Sequence, residues 1–169
     1  MRIPQKSRPG SSLRRVVCAA AVLAFHAVAS AETRVEDRNR DAVRASFDAW
    51  RAGTGGPFDL LAENAEWTIE GRSAVSKTYA SKAAFISEVI RPFNSRMQAP
   101  LKPRIRRLHA DGDTVIVHFD ARATARNGKP YVNTYAWFLD MRAGRIVKAS
   151  AFFDAVAFND LWSRVPPGD

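Results

Sequence analysis

An apolar pattern at helical spacing runs through residues 33–53. Val43, Phe47 and Trp50 fall at i, i+4 and i+7, with charged residues at several positions between them. This spacing places the apolar side chains on one face of a helix and the charged ones on the other. Thr33 stands three positions before a glutamate, as in a capping box, and Gly53 follows the last apolar residue. The pattern predicts an amphipathic helix from Thr33 to Gly53.

The pattern changes twice between residues 65 and 92. Ala65–Glu70 alternates apolar and polar residues, as a half-buried strand does. Ser81 is a possible N-cap for the next run, in which Phe85 and Val89 lie four positions apart. Pro92 lacks the amide hydrogen that a helix interior needs. We therefore expect one strand and then a second helix that ends near Pro92.

The second half of the chain alternates between apolar and polar residues from Arg104 to Asp154. Asp111-Gly112 and Asn127-Gly128 are signals for two-residue hairpin turns, because both residues of each pair tolerate positive φ. Ala143-Gly144 is a weaker signal of the same kind. Helices followed by an antiparallel meander predict an α+β domain built in layers.

The turn positions also predict which strand residues lie opposite one another. A two-residue turn centred on Asn127-Gly128 places Asp120 opposite Tyr135, and one centred on Ala143-Gly144 places Tyr135 opposite Phe152. One face of the sheet then carries three rows: Arg122–Asn133–Asp154, Asp120–Tyr135–Phe152 and His118–Trp137–Ser150.

The opposite face of this predicted sheet is uniformly apolar, with residues such as Val117, Phe119 and Ala151. Two arrangements stay open. Either the mixed face lines a cavity that the helices close, or the apolar face lies under the helices and the mixed face is solvated or contacts a second copy. We favour the cavity, because Tyr135 and Trp137 on the mixed face argue against full exposure.

The first 31 residues have the order of a secretory signal peptide. A basic region is followed by the apolar run Val16–Val28 and by Ala29-Ser30-Ala31, a small-x-small cleavage site. The run is shorter than the roughly 20 apolar residues of a membrane-spanning helix. We expect cleavage after Ala31, no membrane anchor, and one mature domain of residues 32–169 in the periplasm or outside the cell.

Removal of this leader changes the charge and the cysteine count. The chain has 26 basic and 17 acidic residues, and five basic residues lie in the leader, so 21 against 17 leaves a net charge of +4. A single dense basic cluster, residues 104–107, does not predict nucleic-acid binding. Cys18 leaves with the leader, and the histidines do not cluster, so no disulfide, metal site or cofactor is expected.

Four segments carry a resemblance to a known family. They are Trp67–Gly71, Gly112–Val117, Asn127–Tyr135, and Gly144–Val147 leading to Phe152-Phe153-Asp154. Together they resemble the SnoaL-like branch of the NTF2-like superfamily, whose relatives include ketosteroid isomerases, limonene epoxide hydrolases and scytalone dehydratases. The resemblance implies a cone-shaped α+β fold, with helices packed on a strongly curved antiparallel sheet around a deep pocket, commonly in a homodimer.

The resemblance also implies candidate catalytic residues. His118-Phe119-Asp120 resembles the Arg-x-Asp pair of the epoxide hydrolases, with His in place of Arg, and Asp154 resembles a last-strand carboxylate that relatives use as an acid or base. Asp120, Asp154 and His118 are therefore the catalytic candidates. An ordinary salt bridge to Arg122 is the alternative for either carboxylate, and a structural role is the alternative for His118. The ligand-binding candidates are Trp67, Tyr79, Arg122, Asn133, Tyr135, Trp137 and Phe152.

Two classes of function fit these residues. The first is a cofactor-independent isomerase, dehydratase or hydrolase that moves protons with carboxylates on a small, hydrophobic, oxygenated molecule. The alternative is a non-catalytic periplasmic ligand-binding or accessory protein with the same pocket. An interaction protein without a pocket would instead fill the cone with bulky side chains.

Overall fold

The structure is a computed structural model that describes the backbone of residues 12–168 and the side chains of residues 32–168. The chain divides into two units, residues 1–34 and 35–169. The side chains of the expected leader lie outside the described residues, and its cleavage stays a prediction. In the part of the chain that the structure describes, no helix is long and apolar enough to cross a membrane.

The first helix, α1, spans Ser12–Ala52. Thr33 therefore lies within α1, and the predicted helix start at this residue is wrong. The predicted end is confirmed, because Gly53 has a φ of 81° and the amide of Thr54 donates to the carbonyl of Ala49 at 3.0 Å. Hydrogen bonds of this kind around a left-handed glycine close a helix without leaving its last carbonyls unpaired.

The second helical region consists of three consecutive segments: α2 (Lys82–Phe85), a π-helical segment (Ile86–Ile90) and α3 (Arg91–Asn94). Ser81 is its N-cap, as predicted, with Oγ accepting from the amide of Ala84 at 3.2 Å. The region ends at Asn94, two residues past Pro92, which confirms the predicted end near this proline.

One six-stranded sheet forms the rest of the domain. Its spatial order is β2-β1-β6-β5-β4-β3, and all neighbours are antiparallel except β1 and β6, which are parallel. A 3₁₀ turn (Pro57–Leu60) precedes the first strand, and α4 (Ala155–Arg164) follows the last. The strands are β1 (Leu61–Ile69), β2 (Thr78–Tyr79), β3 (Lys102–Asp111), β4 (Thr114–Thr124), β5 (Pro130–Arg142) and β6 (Arg145–Phe153). The predicted α+β fold class is confirmed.

The loop between β4 and β5 is one residue longer than predicted. The amide of Ala125 donates to the carbonyl of Lys129, and the amide of Gly128 donates back to the carbonyl of Ala125, both at 2.9 Å. Three residues, 126–128, thus lie between the hydrogen-bonded pair Ala125 and Lys129, in the hairpin type that needs glycine at its left-handed position. Asp120 consequently lies opposite Thr134, one position from its predicted partner. The same shift places His118 opposite Ala136 and Arg122 opposite Val132.

The turn between β5 and β6 is the predicted two-residue turn, with positive φ at Ala143 and Gly144. The register nevertheless shifts between Asp140 and Met141, where β6 contains one extra residue. Beyond this irregularity Tyr135 lies opposite Phe153 and not Phe152. A β-bulge leaves no clear pattern in a single sequence, so the turn was predicted correctly and the strand pairing beyond it was not.

These two shifts make the predicted three-row face wrong. A shift by one residue exchanges the two faces of a strand. The buried inner face combines the apolar set of β4 with the aromatic and amide set of β5: Val115, Val117, Phe119 and Ala121, then Tyr131, Asn133, Tyr135, Trp137 and Leu139, then Ala149 and Ala151 of β6. The outer face carries His118, Asp120, Arg122, Val132, Thr134, Phe138 and Phe152.

Helix α1 covers the inner face. The ring of Phe47 lies 4.8 Å from that of Phe119 and 5.7 Å from that of Trp137. Trp50, one turn further on, stacks on Trp137 at 6.1 Å with an interplanar angle of 15°. Val43 and Phe47 are buried, which confirms the predicted apolar face of this helix.

Candidate functional site

A cavity of about 310 Å³ opens between the inner face of the sheet, the end of α1, the 3₁₀ turn and the second helical region. Its floor is Ala151 on β6, which lies between Ile69 of β1 and Trp137 of β5. A small residue on the central strand between larger neighbours leaves the space that the cavity occupies. Half of the lining residues are aromatic: Trp50, Phe58, Trp67, Phe85, Phe93, Tyr135, Trp137, Phe153 and Phe158.

The side-chain amide of Asn133 is held by four hydrogen bonds. Its Oδ1 accepts from the backbone amides of Thr134 at 2.8 Å and Asp154 at 2.9 Å. Its Nδ2 donates to the carbonyl of Asp154 and to the hydroxyl of Tyr131, both at 3.0 Å. Because backbone amides can only donate, Oδ1 must face them, which fixes the orientation of the amide.

The hydroxyls of Tyr131 and Tyr135 are 2.8 Å apart, and both residues are buried, with exposed fractions of 2 and 7 %. Each hydroxyl carries one hydrogen and either oxygen can donate to the other, so one hydrogen of the pair has no acceptor among the described residues. Tyr131 also accepts from Asn133 and lies outside the cavity lining, whereas Tyr135 lines the cavity. An acceptor in the cavity would favour the arrangement in which Tyr131 donates to Tyr135 and Tyr135 donates to that acceptor, since an unpaired buried hydroxyl hydrogen costs about 1–3 kcal/mol. We call Asn133, Tyr131 and Tyr135 the tyrosine network.

Both hydroxyls of the tyrosine network stay protonated near neutral pH. Burial is the main cause that raises the pKa of Tyr135 well above its ordinary value, and the neighbouring Tyr131 raises it further. Burial also raises the pKa of Tyr131, against the opposing effect of its hydrogen bonds with Tyr135 and Asn133. Since Tyr135 lines the cavity, it can serve there as a neutral hydrogen-bond donor.

Trp67 lines the cavity with its ring, and its indole nitrogen is buried. Its exposed fraction is 2 %, and its indole Nε1 is buried without a hydrogen-bond partner among the described residues. Buried indole N–H groups usually find a partner, and leaving one unpaired costs about 1–3 kcal/mol. Nε1 of Trp67 is an exception, because no described residue accepts its hydrogen.

Asp59 is the only carboxylate among the described residues that line the cavity. Its side chain is at the solvent-exposed end, where Oδ2 accepts from the amide of Gly56 at 2.8 Å. Nη1 of Arg145 donates to its carbonyl oxygen at 2.9 Å, which ties the 3₁₀ turn to β6. Asp59 gives no signal in the sequence, because its position after a Gly-Gly-Pro break follows no strand or helix pattern.

Three of the predicted ligand-binding residues, Trp67, Tyr135 and Trp137, line the cavity. Asn133 lies behind them in the tyrosine network. Tyr79 is buried next to Phe85, and its hydroxyl donates to the carbonyl of Val75 at 2.7 Å, outside the cavity lining.

The other predicted site residues lie elsewhere. Asp120 is on the outer face, where it accepts from Thr134 Oγ1 at 2.8 Å and from Arg106 Nε at 2.6 Å. The hydrogen bond from Thr134 is the largest cause that lowers the pKa of Asp120, with a smaller contribution from Arg106. His118, Arg122 and Phe152 share this outer face.

Asp154 is the N-cap of α4. Its Oδ1 accepts from the amides of Val156 at 2.9 Å and Ala157 at 3.3 Å. The predicted proximity of Asn133 and Asp154 is confirmed, but Asn133 contacts the backbone of Asp154 and not its carboxylate. The predicted acid–base pair of Asp120 and Asp154 therefore finds no support in the positions of the two carboxylates.

Comparisons with known proteins agree with this architecture. Residues 43–149 match the model of the SnoaL-like domain. Bal32a, from a soil-derived mobile gene cassette, is 21 % identical with a TM-score of 0.61, over 76 % of this chain and 98 % of its own. An NTF2-like protein of unknown function from Burkholderia pseudomallei is 21 % identical with a TM-score of 0.62, over 73 % of this chain and 96 % of its own. TerC, co-crystallised with polyporic acid, is 22 % identical with a TM-score of 0.60, over 73 % of this chain and 97 % of its own. No curated protein matches the chain.

Proposed function

Because the chain belongs to the SnoaL-like domain family, we propose that its cavity binds a small, hydrophobic, oxygenated molecule and that Tyr135 donates a hydrogen bond to an oxygen of this ligand. The observation that carries this proposal is the position of Tyr135, the member of the tyrosine network that lines the cavity. Asn133 donates to Tyr131, and the two tyrosine hydroxyls lie 2.8 Å apart, so one of their two hydrogens has no described acceptor. A ligand oxygen in the cavity would accept that hydrogen from Tyr135. Aromatic walls supply the apolar contact area.

Catalysis by an isomerase, dehydratase or hydrolase is a further step of the same proposal. A neutral hydroxyl held in place stabilises negative charge that develops on a carbonyl oxygen. In such a reaction Asp59 would move the proton, because it is the one carboxylate in the described lining. Its position at the exposed end favours substrates whose reactive carbon lies near the cavity opening.

Non-catalytic ligand binding is the second candidate function. It is favoured by the described lining, in which aromatic rings and the hydroxyl of Tyr135 are accompanied by no imidazole and by no carboxylate other than the exposed Asp59. Turnover of a ligand by the native protein, lost in Asp59→Asn with binding retained, would decide for the enzyme. Binding without turnover across ketones, enols and epoxides would decide for the binding protein.

We also propose export and homodimer formation. The order of the first 31 residues supports export. Exposed apolar side chains on the outer face, Val132, Phe138 and Phe152, support a contact with a second copy. Native mass spectrometry of protein recovered from the periplasm reports leader removal, subunit number and any retained small molecule in one measurement.

Calorimetric titration with polyporic acid, the ligand of TerC, and with simpler aromatic ketones and phenols tests the binding proposal. Replacing Tyr135 by Phe should weaken binding about fivefold, since one hydrogen bond of about 1 kcal/mol is lost. Tyr79→Phe is the matched control, because its hydroxyl lies outside the cavity lining. Equal affinities of the native protein and Tyr135→Phe for every oxygenated ligand would refute the role of Tyr135.

A further inference from the structure

The outer face of the sheet is positively charged at the end formed by β3 and β4. Arg104 and Arg107 of β3 are exposed there. The carboxylate nearest to them, that of Asp120, already accepts from Arg106 at one oxygen and from Thr134 at the other. This end of the face therefore has unpaired positive charge that a negative partner surface would complement.

The opposite end of the same face, at β1, presents two glutamates. Glu66 lies level with Lys148 of β6, and their side chains form an ion pair at 3.4 Å. Glu70 directly follows β1, and its amide donates to the carbonyl of Ala151 at 3.0 Å, which places it level with Phe152. Glu70 forms no ion pair within the described part of the chain.

An apolar centre on β5 and β6 separates the two charged ends. Phe138 and Phe152 are exposed by 39 and 46 %, and their ring centroids lie 6.0 Å apart. Ala136 lies directly opposite Phe152, and its small side chain leaves room above β5. One row of side chains thus crosses the face in the order Arg107, His118, Ala136, Phe152 and Glu70.

We propose that two copies pack these outer faces together about a two-fold axis that runs parallel to the strands, between β5 and β6. This inference rests on the homodimer of the proposed function and adds its orientation. The axis places β4 of each copy over β1 of the other. His118 then meets Glu70 of the second copy, and the ring of Phe152 covers Ala136 of the second copy.

The charges select this axis over the other aligned packing of two sheets, in which the axis runs across the strands. An axis across the strands would place each strand over the same strand of the second copy, so that arginines face arginines and glutamates face glutamates. Like charges that face each other across an interface oppose association. The axis along the strands instead brings Lys148 over Asp140 of the second copy, because these residues lie opposite each other on β6 and β5.

His118 and Glu70 are too far apart to interact within one copy. Three strand spacings, about 14 Å, separate their positions, and Ala136 and Phe152 stand between them in the row. An interaction between residues 118 and 70 therefore reports the contact between copies. Neither residue lines the cavity, so substitutions of both leave the ligand site unchanged.

Sedimentation equilibrium of the purified protein measures the dissociation constant of the dimer. His118→Glu and Glu70→Lys should each raise this constant about 25-fold, because the two-fold axis repeats an unfavourable contact of about fivefold twice. The double variant, His118→Glu with Glu70→Lys, exchanges the two charges and should return the constant to within about threefold of the native value.

Arg122→Glu combined with Glu70→Lys is the matched control, because Arg122 lies on the same strand and face, four residues from His118. This pair should associate as weakly as Glu70→Lys alone. Equal recovery in both double variants, or recovery in neither, would overturn the proposed orientation. A native protein that stays a monomer would overturn the orientation and the homodimer together. Weaker ligand binding by Tyr135→Phe would in either case leave the proposed function of the cavity standing.

Discussion

Substitutions on β6 test whether the cavity exists because the side chain of Ala151 is small. Ala151 lines the cavity, whereas Ala149, on the same strand and the same face, is buried and lies outside the lining. Ala151→Leu adds three carbon atoms to empty apolar space. At about 0.8 kcal/mol for each buried methylene, the free energy of unfolding should rise by about 2 kcal/mol.

Ala149→Leu adds the same atoms to a position that is already packed. It lies between Trp67 and Leu139 in the register, and overpacking of this kind destabilises a domain by about 1–3 kcal/mol. The two substitutions should therefore change stability in opposite directions. A larger side chain at residue 151 also reduces the cavity volume that is available to a ligand. Ala151→Leu should therefore bind oxygenated aromatic ligands more weakly in spite of its greater stability.

Urea denaturation of residues 32–169, followed by tryptophan fluorescence, measures both stabilities, and unchanged m-values would show that the unfolded states are comparable. A destabilised Ala151→Leu, with a loss similar to that of Ala149→Leu, would refute the reasoning. In that case the floor would be packed in solution, and the cavity could not be the ligand site.

Two further predictions concern ionisable groups. Burial raises the pKa of Tyr131 and Tyr135 in the folded state, so stability should be unaffected by these groups below the ordinary tyrosine value of about 10 and should fall as pH rises above it. Urea midpoints from pH 8 to 11 check this, and Tyr135→Phe should fall less steeply than the native protein. Asp154→Ala should cost about 1 kcal/mol of stability through the lost N-cap of α4 while ligand affinity stays within twofold, and a large loss of affinity without a loss of stability would restore Asp154 as a site residue.

The sequence predicted the helices and strands better than the register in which the strands pair. Apolar spacing identified the face of α1 that carries Phe47, and the family resemblance supplied the cone-shaped architecture. The β4–β5 loop could not be predicted, because Asn127-Gly128 fits both a two-residue and a three-residue hairpin. The actual choice depends on the hydrogen bonds between Ala125 and Lys129, which only the paired strands show.

The one additional residue in the β4–β5 loop determines which residues of β4 share a face with Tyr135 and Trp137 of β5. Tyr135 and Trp137 were assigned to the cavity correctly, while His118 and Asp120 were assigned to the same face and lie on the other. A period of two tells which residues of one strand share a face, but not which face of the next strand joins them. Asp59 was missed for a different reason. It lies in an irregular segment, which has no periodicity from which the direction of its side chain could be inferred.

The four hydrogen bonds of Asn133 have a consequence for how such a protein can change over evolution. They join β5 to the N-cap residue of α4, so the same amide that contacts Tyr131, the hydrogen-bond partner of Tyr135, also anchors the C-terminal helix. Residues of the cavity wall, such as Ala151, can be exchanged singly to accept ligands of another shape. The polar end of the cavity cannot, because a substitution of Asn133 would loosen α4 before it created a new specificity. Under the proposed function, ligand shape can thus diverge among descendants of this domain, while the requirement for a ligand oxygen at Tyr135 is inherited together with the stability of α4.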